Sequence, residues 1–434
     1  MGTAASDTPP TREPAAGALS RPAVPGPLAG VRVVELSTTI MGPYCGLLLA
    51  ELGAEVVKLE APTGDIARQL GVGRSPGMSA IYLNANRGKR SVAIDLKHPR
   101  AAEVIRRLLR GADVFLHNFR PASAERLGLG SQAVRAIEPA IIYCAGYGYG
   151  QGGRYRDEPA YDDVIQAASG IAALQGRRDP DGDPCYVVTN IVDKTVGSMM
   201  ALAIVAALVR RGGSGVGSCV EVPMLESAVF FGLLEQMGGA MFDPPIGRSG
   251  YPRTASPHRR PYRTSDGHVA VMVYTDRHWR DFFALVGHPG RAEDPRYATA
   301  AARTEHIDEL YGWLADELAR RPTAWWLERL RDADIPASPV NDVEDVLADP
   351  HVRDVGLFER REHPSEGWLH EVRLPFVFDG EPLAHERVAA GRLGEHVREV
   401  LGGLGVPDTE VEALVEAGVV FPAVDDRQTA LLEQ

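Results

Sequence analysis

Between Val31 and Pro62 the chain places two β-branched runs on either side of an apolar stretch with helical spacing. "VRVVELST" (31–38) reads as a buried strand, "GPYCGLLLAELGA" as a helix closed by Gly53, and "AEVVKLEAP" as the next strand. A helical crossover between two such strands cannot make a hairpin. It makes a βαβ unit, and therefore a parallel sheet. The order repeats with "RSVAIDL", "PRAAEVIRRLLRGA" and "DVFLHNF", then a helix near "ASAERLGL" and the strand "AIIYCAGYG". The fold class predicted is α/β, doubly wound. The first turn reads "ELSTTIMGP" and lacks the GxGxxG of a dinucleotide site, which disfavours a nicotinamide dehydrogenase.

The pattern changes after about residue 225. A helix, "LESAVFFGLLEQMGG", leads into a Pro-, Arg- and Gly-rich loop, "PPIGRSGYPRTASPHRRPYRTSDG", then the strand "HVAVMVY" and aromatic-bearing helices. From "DIPASPVNDVEDVLADPHV" onward strand signals return, and the chain closes on "PDTEVEALVEAG", read as a capped helix. The expected organisation is a disordered tail over 1–27, a large domain over 28–224 and again over 336–434, and a small central α+β domain with linkers over 225–335.

With 434 residues, 44% hydrophobic and 24% charged, the chain has ample core for two domains. A net charge of −12 argues against nucleic-acid and anionic-membrane partners, though local basic clusters leave room for an anionic small molecule. Cys45, Cys144, Cys185 and Cys219 form no CxxC pair and read as reduced core residues of a cytoplasmic protein. No HExxH or Cys/His cluster predicts a metal site. The apolar stretch Val196–Val209 is too short for a membrane span and reads as a core helix.

"TNIVDKTVGSMM" (189–200) sets Asp193 at the mouth of that helix. Two readings stand side by side. Asp is among the best N-cap residues, and a carboxylate at a helix end beside Thr195, Gly197 and Ser198 also suits nucleophilic chemistry. Helix N–H groups there offer a place for a developing oxyanion. Lys194, next in sequence, reads as a solvated charge. Asp162 and Asp163 in "YDDV" are rival acids, read as the start of a helix with Gln166 on a later turn.

Taken in order, "LAGVRVVELSTTIMGPYCGLLLAELGAEVVKLE", "NANRGKRSVAIDLK", "DVFLHNFRPASAERLGL", "PAYDDVIQAASG", "IVDKTVGSMMALAIVAAL", "DGHVAVMV", "IPASPVNDVEDVLADPHV" and "LGEHVREVLGGLG" resemble the family III CoA-transferases. This CaiB/BaiF-type group includes formyl-CoA transferase and the α-methylacyl-CoA racemases. The resemblance reaches about residue 418. It implies a Rossmann-like large domain built from both chain ends, and an interlocked homodimer.

It also implies a role for Asp193 as the carboxylate that attacks an acyl-CoA thioester, passing through an aspartyl anhydride and an aspartyl-CoA thioester. No tightly bound cofactor is implied; coenzyme A or acyl-CoA enters as substrate, with small carboxylic acids as partners. By the same resemblance Ile94, Asp95, Leu96, Lys97, Asn118, Phe119, Arg120 and Arg126 line the CoA site. Ile40 and Met41 match a loop beside the thioester, and Tyr161 a substrate position. The cations expected to gather around CoA are Arg87, Lys89, Arg90 and Lys97, with Arg120 and Arg126.

Tyr161 stands where the racemases of this group carry a histidine. An unperturbed tyrosine, with a pKa near ~10, is poorly suited to moving an α-proton at neutral pH. The resemblance therefore implies a transferase. A racemase/epimerase is the alternative, and a non-catalytic CoA-binding protein a remote one. The chain departs from the formyl/oxalate transferases at Ala61, at Pro159, and in the loop "GRSGYPRTASP", which replaces a run of glycines. Arg248, Arg253, Arg259 and Arg260 of that loop are open to two readings, a grip on a second carboxylate or solvated charges.

Overall fold

The computed structural model describes residues 26–177, 182–383 and 387–423. The expected tail, residues 1–27, lies outside the described residues except for Gly26 and Pro27. Six strands form the main sheet: β1 (Arg32–Leu36), β2 (Glu55–Glu60), β3 (Lys89–Ala93), β4 (Val114–His117), β5 (Ile142–Tyr147) and β6 (Ser218–Pro223). Their order is β3-β2-β1-β4-β5-β6, and every neighbouring pair is parallel.

The register sets Val34 between Val57 and Phe115, and Val33 between Val56 and Val114. Side chains alternate along a strand, so Val34, Phe115 and Tyr143 enter one packed layer while Val33, Val114 and Ile142 enter the other. Both faces are covered. That is why these strands read as continuous apolar runs rather than alternating ones.

Among the described residues nine α-helices connect the strands as far as β6 and just beyond: α1 (Met41–Glu51), α2 (Ala80–Asn86), α3 (Ala101–Leu109), α4 (Pro121–Arg126), α5 (Ser131–Ile137), α6 (Asp162–Ala168), α7 (Ile171–Gly176), α8 (Ile191–Ser214) and α9 (Met224–Gly232). α1 and α8 cover one face through Cys45, Leu49, Val196, Met200 and Ile204. The two helices touch at a bare glycine, where a Cβ on Gly197 would stand 2.6 Å from the Met41 carbonyl oxygen. α8 runs 24 residues, longer than the apolar stretch read from the sequence, and by length and composition it is long enough to cross a membrane. Here one face, Val192, Val196, Met200 and Ile204, packs inward at helical spacing, while Leu202 and Val209 are exposed.

The opposite face draws on both chain ends. Val397, Leu401 and Leu414, from helices Val397–Gly403 and Asp408–Glu416, pack with Val34, Leu59 and Phe115. The end of the chain runs beside β3: Ile94 bridges Val420, Phe421 N–H donates to the Ala93 carbonyl at 3.0 Å, and Asp95 N–H donates to that of Val419 at 3.0 Å. The helix Asp408–Glu416 follows Pro407, whose ring offers no acceptor, and is capped at its far end as the sequence implies: Gly418 takes φ +69° and Val419 N–H donates to the Leu414 carbonyl at 2.9 Å.

A second core is confined to 262–335, with Trp279, Phe282, Phe283, Leu314 and Trp326 at its centre. It carries a small antiparallel sheet of β7 (Tyr262–Arg263), β8 (His268–Val271) and β9 (Ala337–Pro339). α9, read as the opening of the middle region, sends Met224 and Ala228 into the large core instead. Of the four cysteines expected inside, Cys45 and Cys144 are buried, but Cys185 and Cys219 are exposed. Cys219 sits on the edge strand β6 and Cys185 in the loop before α8, where one side is open to solvent.

Candidate active site

The sheet order reverses at β1. The helix after β1 packs on one face, and the segment after β4 places Leu129 and Val134 on the other. Such a divergence leaves a crevice at the carboxyl ends of the two strands, the usual ligand position in an open α/β sheet. Two reciprocal hydrogen bonds span it. Thr38 N–H donates to Asn118 Oδ1 at 3.0 Å, and Asn118 Nδ2 donates to the Thr38 carbonyl at 2.8 Å. His117, at the end of β4, fixes the next turn: its Nδ1 accepts the Phe119 N–H at 3.2 Å, and Nε2 meets Tyr143 Oη at 2.6 Å. Burial pulls this imidazole down to about 4, so it is neutral at pH 7.

A cleft of about 330 Å³ opens there, and six of the residues singled out from the sequence line it: Met41, Asn118, Phe119, Arg120, Tyr161 and Asp193. Tyr161 is 71% exposed and stands at the N-cap position of α6. Asp193 is only 8% exposed. No hydrogen bond or ion pair meets its carboxylate among the described residues. Burial first, then the neighbouring Asp162 and Asp163, pushes the Asp193 carboxyl up to about 7.

Asp193 is not the cap of α8. The N-cap position belongs to Asn190, and Asp193 is the third helical residue. Its own N–H donates to Asp162 Oδ2 at 2.8 Å, so the cap comes from α6, thirty-one residues earlier in the chain. Asp162 Oδ1 in turn accepts Gln166 Nε2 at 2.6 Å, and Gln166 Oε1 accepts the Val187 N–H at 2.9 Å. These bonds lock the segment leading into α8. They also correct two expectations. The Asp193 N–H is spoken for and offers nothing to an oxyanion. Gly197 turns its bare face to α1 rather than to a ligand. Ser198 is exposed and donates to the Lys194 carbonyl at 2.9 Å.

Lys194 points away, as read from the sequence. Its Nζ donates to Thr189 Oγ1 at 2.5 Å, and its side chain lines a separate cavity with Ile40 and Tyr44. Ile40, next to the cleft residue Met41 in sequence, thus lines that separate cavity and not the cleft. Arg126 ends α4, is exposed, and donates to Ser123 Oγ at 2.9 Å; Ser123 lines the cleft. Asp95, Leu96 and Lys97 follow β3, two strands from β1, outside the cleft. The Ile94 side chain is fully buried in the core, so it presents no surface to a ligand.

The expected cation cluster divides sharply. Lys89 is buried with its Nζ 2.9 Å from Glu35, Arg87 pairs with Glu51 at 3.0 Å, and Arg90 with Glu399 at 2.6 Å. Lys89 and Arg87 are thus buried against protein carboxylates and not available to phosphate, while Arg90 is paired at the surface. Lys97 is exposed and without an ion pair among the described residues; its backbone N–H donates to Asp95 Oδ1 at 3.0 Å. In the central loop Arg253 is also committed, with Nε donating to Tyr311 Oη at 2.6 Å and the guanidinium 4.2 Å over the Tyr274 ring. Arg259 lines a different cavity of about 570 Å³ with Arg177 and Phe231, not the Asp193 cleft.

Thr38 and Thr39 line the cleft and were not among the residues expected there. Thr39 has φ +72°, a conformation that no local sequence signal announces, because β-branched residues avoid it.

The chain matches the model of CoA-transferase family III over residues 28–397. It is 36% identical to the succinate–glutarate CoA-transferase of Agrobacterium fabrum, over 87% of this chain and 96% of the relative. It is 31% identical to the formyl-CoA:oxalate CoA-transferase of Streptomyces avermitilis, over 91% of this chain and 99% of that protein. Among solved structures it resembles a CaiB/BaiF family protein from Brucella suis, with a TM-score of 0.73 and 29% identity, covering 88% of this chain and all of the other.

Proposed function

Because this chain belongs to CoA-transferase family III, we propose that it moves CoA from an acyl-CoA donor to a free carboxylic acid through covalent intermediates on Asp193. The observation that carries this reading is a buried carboxylate facing the cleft at the sheet's switch point, held among the described residues neither by a cation nor by a hydrogen bond. Its raised pKa makes it a stronger nucleophile once ionised.

The Asp193 oxygen attacks the thioester carbonyl carbon, the C–S bond breaks, and CoA thiolate departs to leave a mixed anhydride. The thiolate then attacks the aspartyl carbonyl carbon, releasing the donor acid as its carboxylate and leaving an aspartyl-CoA thioester. An acceptor carboxylate reverses both steps and regenerates Asp193. No proton is consumed. The thioester's free energy is kept as long as water stays out, which suits a small cleft with a nearly buried nucleophile. The acids named for the relatives, succinate, glutarate and oxalate, make dicarboxylic acids the first substrates to test.

Lys97, after β3, and Arg126, at the end of α4, are exposed cations proposed to meet the CoA phosphates beyond the cleft itself. Lys97→Ala and Arg126→Ala are each expected to weaken succinyl-CoA binding by roughly 10–100-fold at low salt, as loss of a charge-assisted contact does, and to flatten its salt dependence. Calorimetric titration at two ionic strengths checks this. Unchanged affinity in both variants removes them from the site. The exposed apolar side chains Phe230, Leu234 and Ile246 are the surface we expect a second copy to cover in an interlocked homodimer.

Tyr161 at the cleft sets the reading apart from racemisation. With succinyl-CoA and glutarate in D₂O, glutaryl-CoA is expected to accumulate only when glutarate is present. A chiral 2-methylacyl-CoA is expected to keep its α-hydrogen. Enzyme-dependent α-deuteration with inversion, and no need for an acceptor acid, points instead to Asp193 as a general base.

A further inference from the structure

We propose that the buried Asp65 is a positioning residue for this transfer, holding the strained turn at Thr39 so that the start of α1 opens on the Asp193 cleft. The inference rests on the transferase reading above. Thr39 is one of three non-glycine residues with positive φ among the described residues, and the one that lines the cleft. A β-branched side chain does not settle at φ +72° unless its surroundings hold it.

The surroundings are a buried ion pair. Asp65 Oδ1 accepts the Thr39 N–H at 2.9 Å, and its Oδ2 lies 3.0 Å from Lys58 Nζ. Lys58 Nζ donates to the Ser37 carbonyl at 2.8 Å and lies 3.3 Å from Glu35. The pair thus grips the chain on both sides of Thr38, at the carbonyl before it and the amide after it. Asn118 holds Thr38 itself from across the crevice. Asp65 and Lys58 are 1% and 0% exposed. A buried carboxylate needs such a countercharge, and a charged acceptor binds an N–H more strongly than a neutral one.

The grip has a consequence two residues on. α1 begins at Met41, a cleft residue, and no side chain caps it. Pro43 has no N–H, and Tyr44 N–H is taken by the Ile40 carbonyl at 2.7 Å. The Met41 and Gly42 N–H groups meet no acceptor among the described residues. Thr39 sets the direction from which that helix end approaches Asp193, and Asp65 sets Thr39. Asp65 also accepts the Ala67 N–H at 3.0 Å, a local turn cap that by itself has no bearing on catalysis.

The test separates these two roles. Full-length enzyme is assayed with succinyl-CoA and glutarate, and acyl groups on Asp193 are trapped with hydroxylamine. Asp65→Ala is expected to lower kcat about 100-fold, the scale of a small misplacement of reacting groups, with KM for succinyl-CoA within about threefold. Adding Thr39→Gly to Asp65→Ala is expected to restore kcat at least about fivefold, since glycine holds positive φ without help. Should Asp65→Ala fail to fold, Asp65→Asn takes its place, with a loss of about tenfold and the same rescue expected because the amide is a weaker acceptor. Unchanged kcat, a loss in KM alone, or no rescue by Thr39→Gly overturns the positioning role. Transfer by the unmodified enzyme with no trapping at Asp193 overturns the transferase mechanism instead. Trapping at Asp193 with indifferent Asp65 variants overturns this inference alone.

Discussion

Asp193→Ala is expected to reduce CoA transfer at least about a hundredfold, because Asp193 is the buried carboxylate of the cleft, whereas Glu158, another acid that lines it, is exposed to solvent. The neighbouring acid on α6 is already engaged. Asp162 accepts the Asp193 N–H and the Gln166 amide. Alanine leaves the α8 backbone and its bond to Asp162 intact, so the fold and succinyl-CoA affinity should change little. The loss should therefore appear in kcat rather than KM. Steady-state kinetics with succinyl-CoA and glutarate measures it, and retention of more than about a hundredth of the rate rules out nucleophilic catalysis at this position.

The second large effect depends on pH. The Asp193 carboxyl is pushed up to about 7, first by burial and then by Asp162 and Asp163. Only the carboxylate attacks, so transfer should rise with pH to a plateau above neutrality, with its midpoint near the Asp193 value. Asp162→Asn keeps an oxygen for the Asp193 N–H but removes one repelling charge, and should move that midpoint toward acid. A midpoint unmoved by Asp162→Asn would show that the profile reports some other group.

The same shift bears on stability, with a definite sign. Between about pH 4 and pH 7 the folded chain keeps a proton that the unfolded chain has lost, so stability falls as pH rises across that window. Each pH unit is worth about 1.4 kcal/mol, so full ionisation costs on the order of 4 kcal/mol. Asp193→Asn should remove that cost. The variant is expected to be the more stable protein at pH 8, with the advantage gone near pH 4. An equal effect at both pH values would mean the carboxyl is not perturbed by its site.

Much of the fold was legible because its signals are local. The β-branched runs at 31–38 and 54–62 and the helix between them fix a parallel sheet without reference to the rest of the chain. Asp193 stood out through its motif, and the structure sets it nearly buried at the cleft. The source of its cap was not legible, because Asp162 is remote in sequence and reaches α8 only after folding. Lys89 and Arg87 read as phosphate ligands since sequence shows charge but not burial. The carboxylates that take them, Glu35 and Glu51, stand 54 and 36 residues away and meet them only after folding. The turn at Thr39 was equally hidden. Nothing in "STTIM" favours positive φ; long-range bonds from Asp65 and Asn118 impose it.

The most direct measurement is made on the Asp193 peptide itself. Enzyme incubated with succinyl-CoA, quenched with hydroxylamine and digested should yield an aspartyl hydroxamate at Asp193, found by mass spectrometry, and none when succinyl-CoA is left out. Sustained transfer to glutarate with Asp193 unmodified, or with the hydroxamate at another acid, would contradict the account.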